Sequence, residues 1–311
     1  MLKKITLLLP FITSVAFAQI EKAPNRAEGE YANRTIIRGV TLINSTGAPP
    51  VGPVDIVIEK NKIAQIKQVG YPGVPIDPKS RPKLNDGDKE LDCNGMYLMP
   101  GFIDMHGHIG GKSQGTPAEY VFKLWLAHGI TTIRDPSAGN GLDWTLDQKR
   151  RSDKNEITAP RIKAYTAFGM GSDKPITTPE EARQWVRDNA AKGADGIKFF
   201  GAEPAVFRAA LEENKKIGLR SACHHAQLEV ARMNVLATAK AGLTSMEHWY
   251  GLPEALFDER TLQNYPADYN YNNEQNRFEE AGKLWKQSAE PGSADCFQSF
   301  PASSKRFCSL L

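Results

Sequence analysis

The chain has 311 residues, of which 41% are hydrophobic and 24% charged, a composition that accommodates one large domain or two ordinary ones and excludes general disorder. Its net charge is +3, spread without a long basic block, so neither nucleic acid nor an anionic membrane is expected as a partner.

Lys3 and Lys4 precede the apolar run ITLLLPFITSVAFA, which ends in Ala16-Phe17-Ala18. A charged start, a short apolar core and a small-x-small end read as a signal peptide over residues 1–18, so a secreted or periplasmic protein is expected. The run is shorter than the ~20 apolar residues that span a bilayer, and Pro10 interrupts it. No later segment reads as membrane-spanning. Export permits disulfides, but Cys93, Cys223, Cys296 and Cys308 show neither a paired framework nor the spacing of a zinc knuckle. Cys93 and Cys223 read as buried small residues.

Residues 19–98 are expected to form a small β domain. RTIIRGVTLIN alternates apolar and polar positions, and VDIVIEKNKIAQIKQV predicts a hairpin turning near Lys60-Asn61. Residues 71–90, rich in Pro, Asp, Lys and Gly, read as a loop before KELDCNGMYLMPG adds another strand or two. From Gly101 the rhythm changes. GFIDMHGHI, GITTIRDP, APRIKAYTAFG, GADGIKFFG, GLRSACHHA and LTSMEHWYG read as short strands. Helices are expected between them, around AEYVFKLWLAHG, up to Lys154, over TPEEARQWVRDNAAKG with Thr178 as N-cap and Glu181 three residues on, over PAVFRAALEENKKIG and over LEVARMNVLATAKAG. Alternating strands and helices imply parallel βα units.

Polar residues recur at the C-terminal ends of these strands: His106 and His108, Asp135, Lys198, His224 or His225, and His248. That is the arrangement of the active face of a (β/α)₈ barrel. The expected fold is therefore α/β, a TIM-type (β/α)₈ barrel with about six strands present over residues 99–257, behind a small N-terminal β-sandwich.

Of the six histidines, only His128 falls at a helix end, where it caps carbonyls or meets solvent. His106 and His108 are two apart, so on a strand both point the same way, and neutral imidazoles on one face suit Zn²⁺ or a similar ion. A pair of satisfied core histidines is the plainer alternative. Lys198 lies between Ile197 and Phe199. A buried lysine needs a charge partner or a lowered pKa, and a neutral amine can add CO₂ to give an anionic carbamate. A salt-bridged lysine fits the same spacing.

PGFIDMHGH, GIKFF, the histidines of SACHHAQ and the EH of SMEHWYG together resemble the amidohydrolase superfamily, most closely its imidazolonepropionase- and prolidase-like branch. RTIIRGVTLINSTG and DIVIEKNKIAQI resemble that family's N-terminal β-sandwich strands. The resemblance runs from about Arg34 to Phe257. It implies that His106 and His108 bind the more buried of two divalent ions, most simply Zn²⁺, and that carbamylated Lys198 bridges both. The second ion would be held by His248 and by His224 or His225. Position along the strand favours His224 and the HAQ string favours His225; adjacent strand residues face opposite ways, so one of them is the ligand. The implied activity is hydrolysis of an amide, cyclic amide or dipeptide C–N bond by a metal-activated hydroxide. The implied partner is a small-molecule amide or peptide, with homo-oligomer formation left open. Trp249 and Tyr250 are candidate substrate contacts.

One part of the family pattern is absent. An aspartate at the end of strand eight orients the water in the family, and loss of such a base typically costs ~10²–10⁴-fold in rate. After His248 the chain continues through a polar, Tyr- and Asn-rich insertion with a short helix over FEEAGKLWKQ (residues 258–293), then through a tail (residues 294–311) that reads as aberrant. Asp258 and Asp268 lie in the insertion and are not carried over as that base. The expectation is a C-terminally truncated hydrolase with open sheet edges, poorly soluble and impaired in turnover. A catalytically inactive metal- or ligand-binding relative is the alternative, and a purely structural protein with incidental histidines a third.

Overall fold

A computed structural model describes residues 32–226, 230, 232–256 and 266–288. The expected signal peptide, Asp258, and the tail with Cys296 and Cys308 lie outside the described residues. The chain divides into two compact units between Pro100 and Gly101.

The first unit contains β1 (Arg34–Leu42), β2 (Val51–Glu59), β3 (Lys62–Gln68), β4 (Lys89–Asp92) and β5 (Tyr97–Leu98). Strands β1, β2 and β3 run antiparallel, while β4 and β5 both pair parallel to β1. The β2–β3 hairpin turns at Lys60-Asn61 as expected, with Glu59 opposite Lys62 and Lys60 at φ +55°. Val40, Val54 and Ile56 form the core on one face, with Leu42, Ile58 and Leu98 packed against them. Asp55 is fully buried between two cations, accepting from Arg38 Nη1 at 3.0 Å and Arg81 Nη2 at 2.8 Å. Burial pushes its carboxyl up, but those bonds and one from the Gly39 N–H outweigh it and hold the pKa below the usual value. The small N-terminal β unit expected from the sequence is present, its described strands pairing in one mixed sheet. On edge strand β3, Ile63 and Ile66 are exposed among the described residues.

The second unit carries six parallel strands, β6 (Phe102–Asp104), β7 (Ile130–Asp135), β8 (Arg161–Ala167), β9 (Gly196–Phe199), β10 (Arg220–His224) and β11 (Ser245–Glu247), each paired with its chain neighbour. Between them lie α1 (Ala118–Ala127), α2 (Leu142–Asp153), α3 (Pro179–Lys192), α4 (Pro204–Lys216) and α5 (Val235–Ala241), and after them α6 (Glu274–Ser288). This is the partial (β/α) barrel expected from the alternation of strands and helices. Helix α3 starts where Thr178 accepts from the Glu181 N–H while Glu181 reaches back to the Thr178 N–H, and it ends at Gly193 with φ +105°.

Period-2 alternation sets the chemistry. Ile197, Phe199 and Cys223 turn outward into the core shared with Trp185, Phe207 and Leu211 of the helices, which leaves Lys198 and Ala222 on the inner face. Among the described residues, strands β6 and β11 are each paired on one side only, and Phe102 and Ile103 of β6 are exposed. Helix α5 is shorter than expected: the Asn234 side chain accepts from the Ala237 N–H at 3.1 Å and starts the helix there, so Met233 lies before it. Among the described residues no helix is long and apolar enough to cross a membrane.

Candidate active site

Strand β6 stops at Asp104, whose carboxylate accepts the His106 N–H at 2.8 Å. His106 and His108 therefore sit in the loop beyond the strand, not on it, which corrects the strand-based reading of the pair. What brings them together is the intervening glycine. Gly107 donates to the Arg134 carbonyl at 3.0 Å, and a Cβ there would lie 2.4 Å from Ile133 Cδ1. Only glycine lets the loop lie so close to β7. The two imidazole centroids are 5.5 Å apart and nearly perpendicular.

The other histidines arrive from the far side of the sheet. His224 ends β10, and its ring centroid is 4.8 Å from that of His248, which is in turn 4.5 Å from that of His106. His248 and Trp249 take φ of +62° and +65°, a left-handed pair in two bulky residues where glycine would be usual. That turn brings the His248 ring among the others, sends Trp249 outward at 59% exposure and buries Tyr250. His225 goes the other way: it is buried, with Nε2 2.8 Å from Thr238 Oγ1 of α5. Of the two candidates from strand β10, His224 stands in the imidazole cluster and His225 packs under α5.

Two residues that spacing had not singled out complete the floor. Glu247, buried on β11, takes a bond from Arg134 of β7 and pairs with His106 Nδ1, while Arg134 Nη1 donates to Ser245 Oγ at 2.9 Å. The signal was available in the alternation of Ser245 and Glu247 about an outward Met246, and in an arginine inside the apolar run ITTIRD. His108 Nδ1 lies 3.6 Å from the buried carboxylate of Asp135.

Lys198 is 1% exposed, and burial lowers its ammonium to about 8 despite the opposing charge of Glu247. Burial would raise the Glu247 carboxyl, but the His106 bond and the charges of Lys198 and Arg134 hold it at about 2. Burial, reinforced by neighbouring cations, lowers His224 to about 3 and His248 to about 4, so both rings are neutral at pH 7 with a lone pair to offer.

Neutral imidazoles, a buried amine and an adjacent carboxylate are the donor set of a borderline-soft divalent ion. His224 Nε2 is buried with no hydrogen-bond partner among the described residues, as suits a nitrogen held for something else. The chemistry fits a metal. Among the described residues, however, no three His, Cys, Asp or Glu side chains already converge on one point. Asp268, the described aspartate of the insertion, is exposed.

No family model matches the chain. It is 34% identical over 204 residues to an adenine deaminase of Bacillus subtilis, a match that covers 60% of this chain and 34% of that protein. The chain thus spans about a third of the length of this curated relative. Among solved structures it is similar to an amidohydrolase with a TM-score of 0.53 at 18% identity, over 89% of this chain and 75% of that one. A Xaa-Pro dipeptidase gives a TM-score of 0.51 at 23% identity, over 69% of this chain and 61% of that one. These two likenesses establish the fold.

Proposed function

Because the chain belongs to the amidohydrolase superfamily, whose representatives among its relatives act on C–N bonds, we propose that it is a metal-dependent hydrolase of amide, cyclic amide or dipeptide C–N bonds. The observation that carries this reading is the gathering of His106, His108, His224 and His248 from three separate strand ends above a buried Lys198. Those five residues would hold two divalent ions, taken as Zn²⁺, which when bound supply Lewis-acid polarisation of the scissile group and a water acidic enough to attack near pH 7.

The residues of the chain do the rest. With a pKa of about 8, roughly a tenth of Lys198 is neutral at pH 7. That amine can form an N–C bond to CO₂ and lose a proton, giving the carbamate anion. Glu247 orients His106 through Nδ1 and leaves Nε2 as the ring nitrogen available for coordination. Trp249, exposed next to His248, would contact a small-molecule substrate, and Tyr250, buried behind it, would shape that contact from below. Residues 1–18 read as an export signal, which supports a periplasmic or secreted location for this chemistry.

A second reading is a protein that binds metal or ligand without turnover. Metal analysis of the purified chain, combined with an amide and dipeptide hydrolysis panel, separates the two. About two equivalents of zinc with zinc-dependent turnover supports the hydrolase. Zinc bound with no turnover supports the second reading, and no retained metal sinks both.

A further inference from the structure

Towards the N-terminal ends of the strands, the inner face of the sheet is charged where a barrel is ordinarily apolar. Ile133, Ile162 and Ala164 turn outward into the helix-side cores, so Arg134 of β7 and Lys163 and Tyr165 of β8 turn inward. Such interiors are normally filled by layers of branched apolar side chains. Here the inner face lines a chamber of about 270 Å³ with Arg134, Lys163, Tyr165, Asp195 and Arg220. Gly196 gives part of the room. It stands between Tyr165 and Arg220 in the strand register, and a Cβ there would lie 2.4 Å from the Tyr165 ring.

The chamber carries an excess of positive charge. Three cations and one carboxylate line it, which leaves two positive charges over. Partners outside do not remove the excess, because Glu247 pairs with Arg134 while Lys149 holds Asp195 at 2.6 Å. Arg134 and Lys163 are register neighbours on β7 and β8, and like charges so placed repel. Lys163 also reaches Asp195, at 3.4 Å, but among the described residues no ion pair reaches Arg220. Arg134 has a donor left over as well. Its Nη1 and Nη2 go to Ser245 and Glu247, and its Nε is buried with no partner among the described residues. An unpaired donor of that kind is costly, and an accepting oxygen would satisfy it.

We propose that this chamber is a binding site for a small oxyanion, held by Arg220 and Lys163 at its mouth and by Arg134 at its inner wall. Arginine and lysine bind carboxylate and phosphate groups through charge-assisted hydrogen bonds. Asp195 disfavours an anion there, but its oxygens already accept from Lys149, Lys163 and the Ala164 N–H. The site uses none of the histidines and not Lys198, which stands two residues beyond Gly196 on β9. It needs neither metal nor turnover, so its failure and that of the hydrolase reading are separate outcomes.

Isothermal titration calorimetry of the full chain with inorganic phosphate, in ~50 mM salt, tests this. Saturable one-to-one binding is expected, with a dissociation constant of about 1 mM. Arg220→Gln and Lys163→Gln, both at exposed positions, are each expected to weaken it ~3- to 10-fold, and the double variant ~30-fold. Lys112→Gln, which removes an exposed cation elsewhere, and His248→Ala should each leave it unchanged. Circular dichroism checks that every variant is folded. Acetate titrated in the same way separates the two sources of an oxyanion: affinity equal to that of phosphate assigns a carboxylate, and ~10-fold weaker binding assigns a phosphoryl group. No saturation by ~50 mM phosphate overturns the proposal, as does an affinity unchanged in the double variant. An equal loss in Lys112→Gln overturns it too, by showing general attraction to a basic surface. Binding lost in His248→Ala and kept in Arg220→Gln would move the phosphate to the histidine cluster and overturn it as well.

Discussion

Arg134 of β7 and Glu247 of β11 lie four places apart in the strand order, yet their side chains meet on the inner face of the sheet. The same carboxylate reaches His106 beyond β6, so one acidic group ties together the two outermost strands of the described sheet and the strand next to one of them. Both partners of the Arg134–Glu247 pair are about 95% buried, which makes the pair expensive to break from one side. Arg134→Met is expected to destabilise the chain by about 3–5 kcal/mol in urea unfolding. Adding Glu247→Gln should recover part of that loss; strict additivity of the two would refute the coupling.

Zinc should distinguish the two histidines of strand β10. For the wild type, zinc at ~100 times its dissociation constant is expected to add about 2.7 kcal/mol of stability. His224→Ala and His248→Ala should remove most of that increment. His225→Ala should lower the starting stability and keep the zinc increment, because its ring faces Thr238. A zinc response lost in His225→Ala and kept in His224→Ala would reverse the assignment.

Acid should weaken the fold well above the carboxylate range. Burial lowers the His225 pKa to about 4 in the folded chain, against 6.5 unfolded. The unfolded state then binds the proton first, so stability is lost as pH falls from 6.5 towards 4. At pH 5 this one residue is expected to account for about 2 kcal/mol. His224 and His248 act with the same sign. His225→Gln should flatten the dependence of the urea midpoint between pH 7 and 5, and an unchanged slope would count against the argument.

Gly107 is expected to tolerate no side chain. The methyl group of Gly107→Ala would push into Ile133, at a cost of about 1–3 kcal/mol, and would shift His106 and His108 together. Thermal melts with and without zinc should show both a lower baseline and a weaker zinc response.

Thr178→Ala removes one half of the α3 capping box and should cost about 1 kcal/mol without altering zinc binding. A loss below a few tenths would mean that α3 is held by tertiary packing alone.

The amino-acid pattern by itself determined the βα rhythm, the N-cap of α3, the β2–β3 turn and the identity of the histidines, because these depend on local dihedral preferences and on period-2 or period-3.6 alternation. It did not determine that β6 ends at Asp104 or that α5 begins only at Val235, after its Asn234 cap, because each depends on a side chain competing for a backbone group. Tertiary structure alone decided the site. His106, His224 and His248 meet, His225 turns under α5, and Arg134 reaches Glu247, because the curl of a parallel sheet brings strands distant in sequence onto one inner face, and the left-handed turn at His248 and Trp249 chooses which rings look into it.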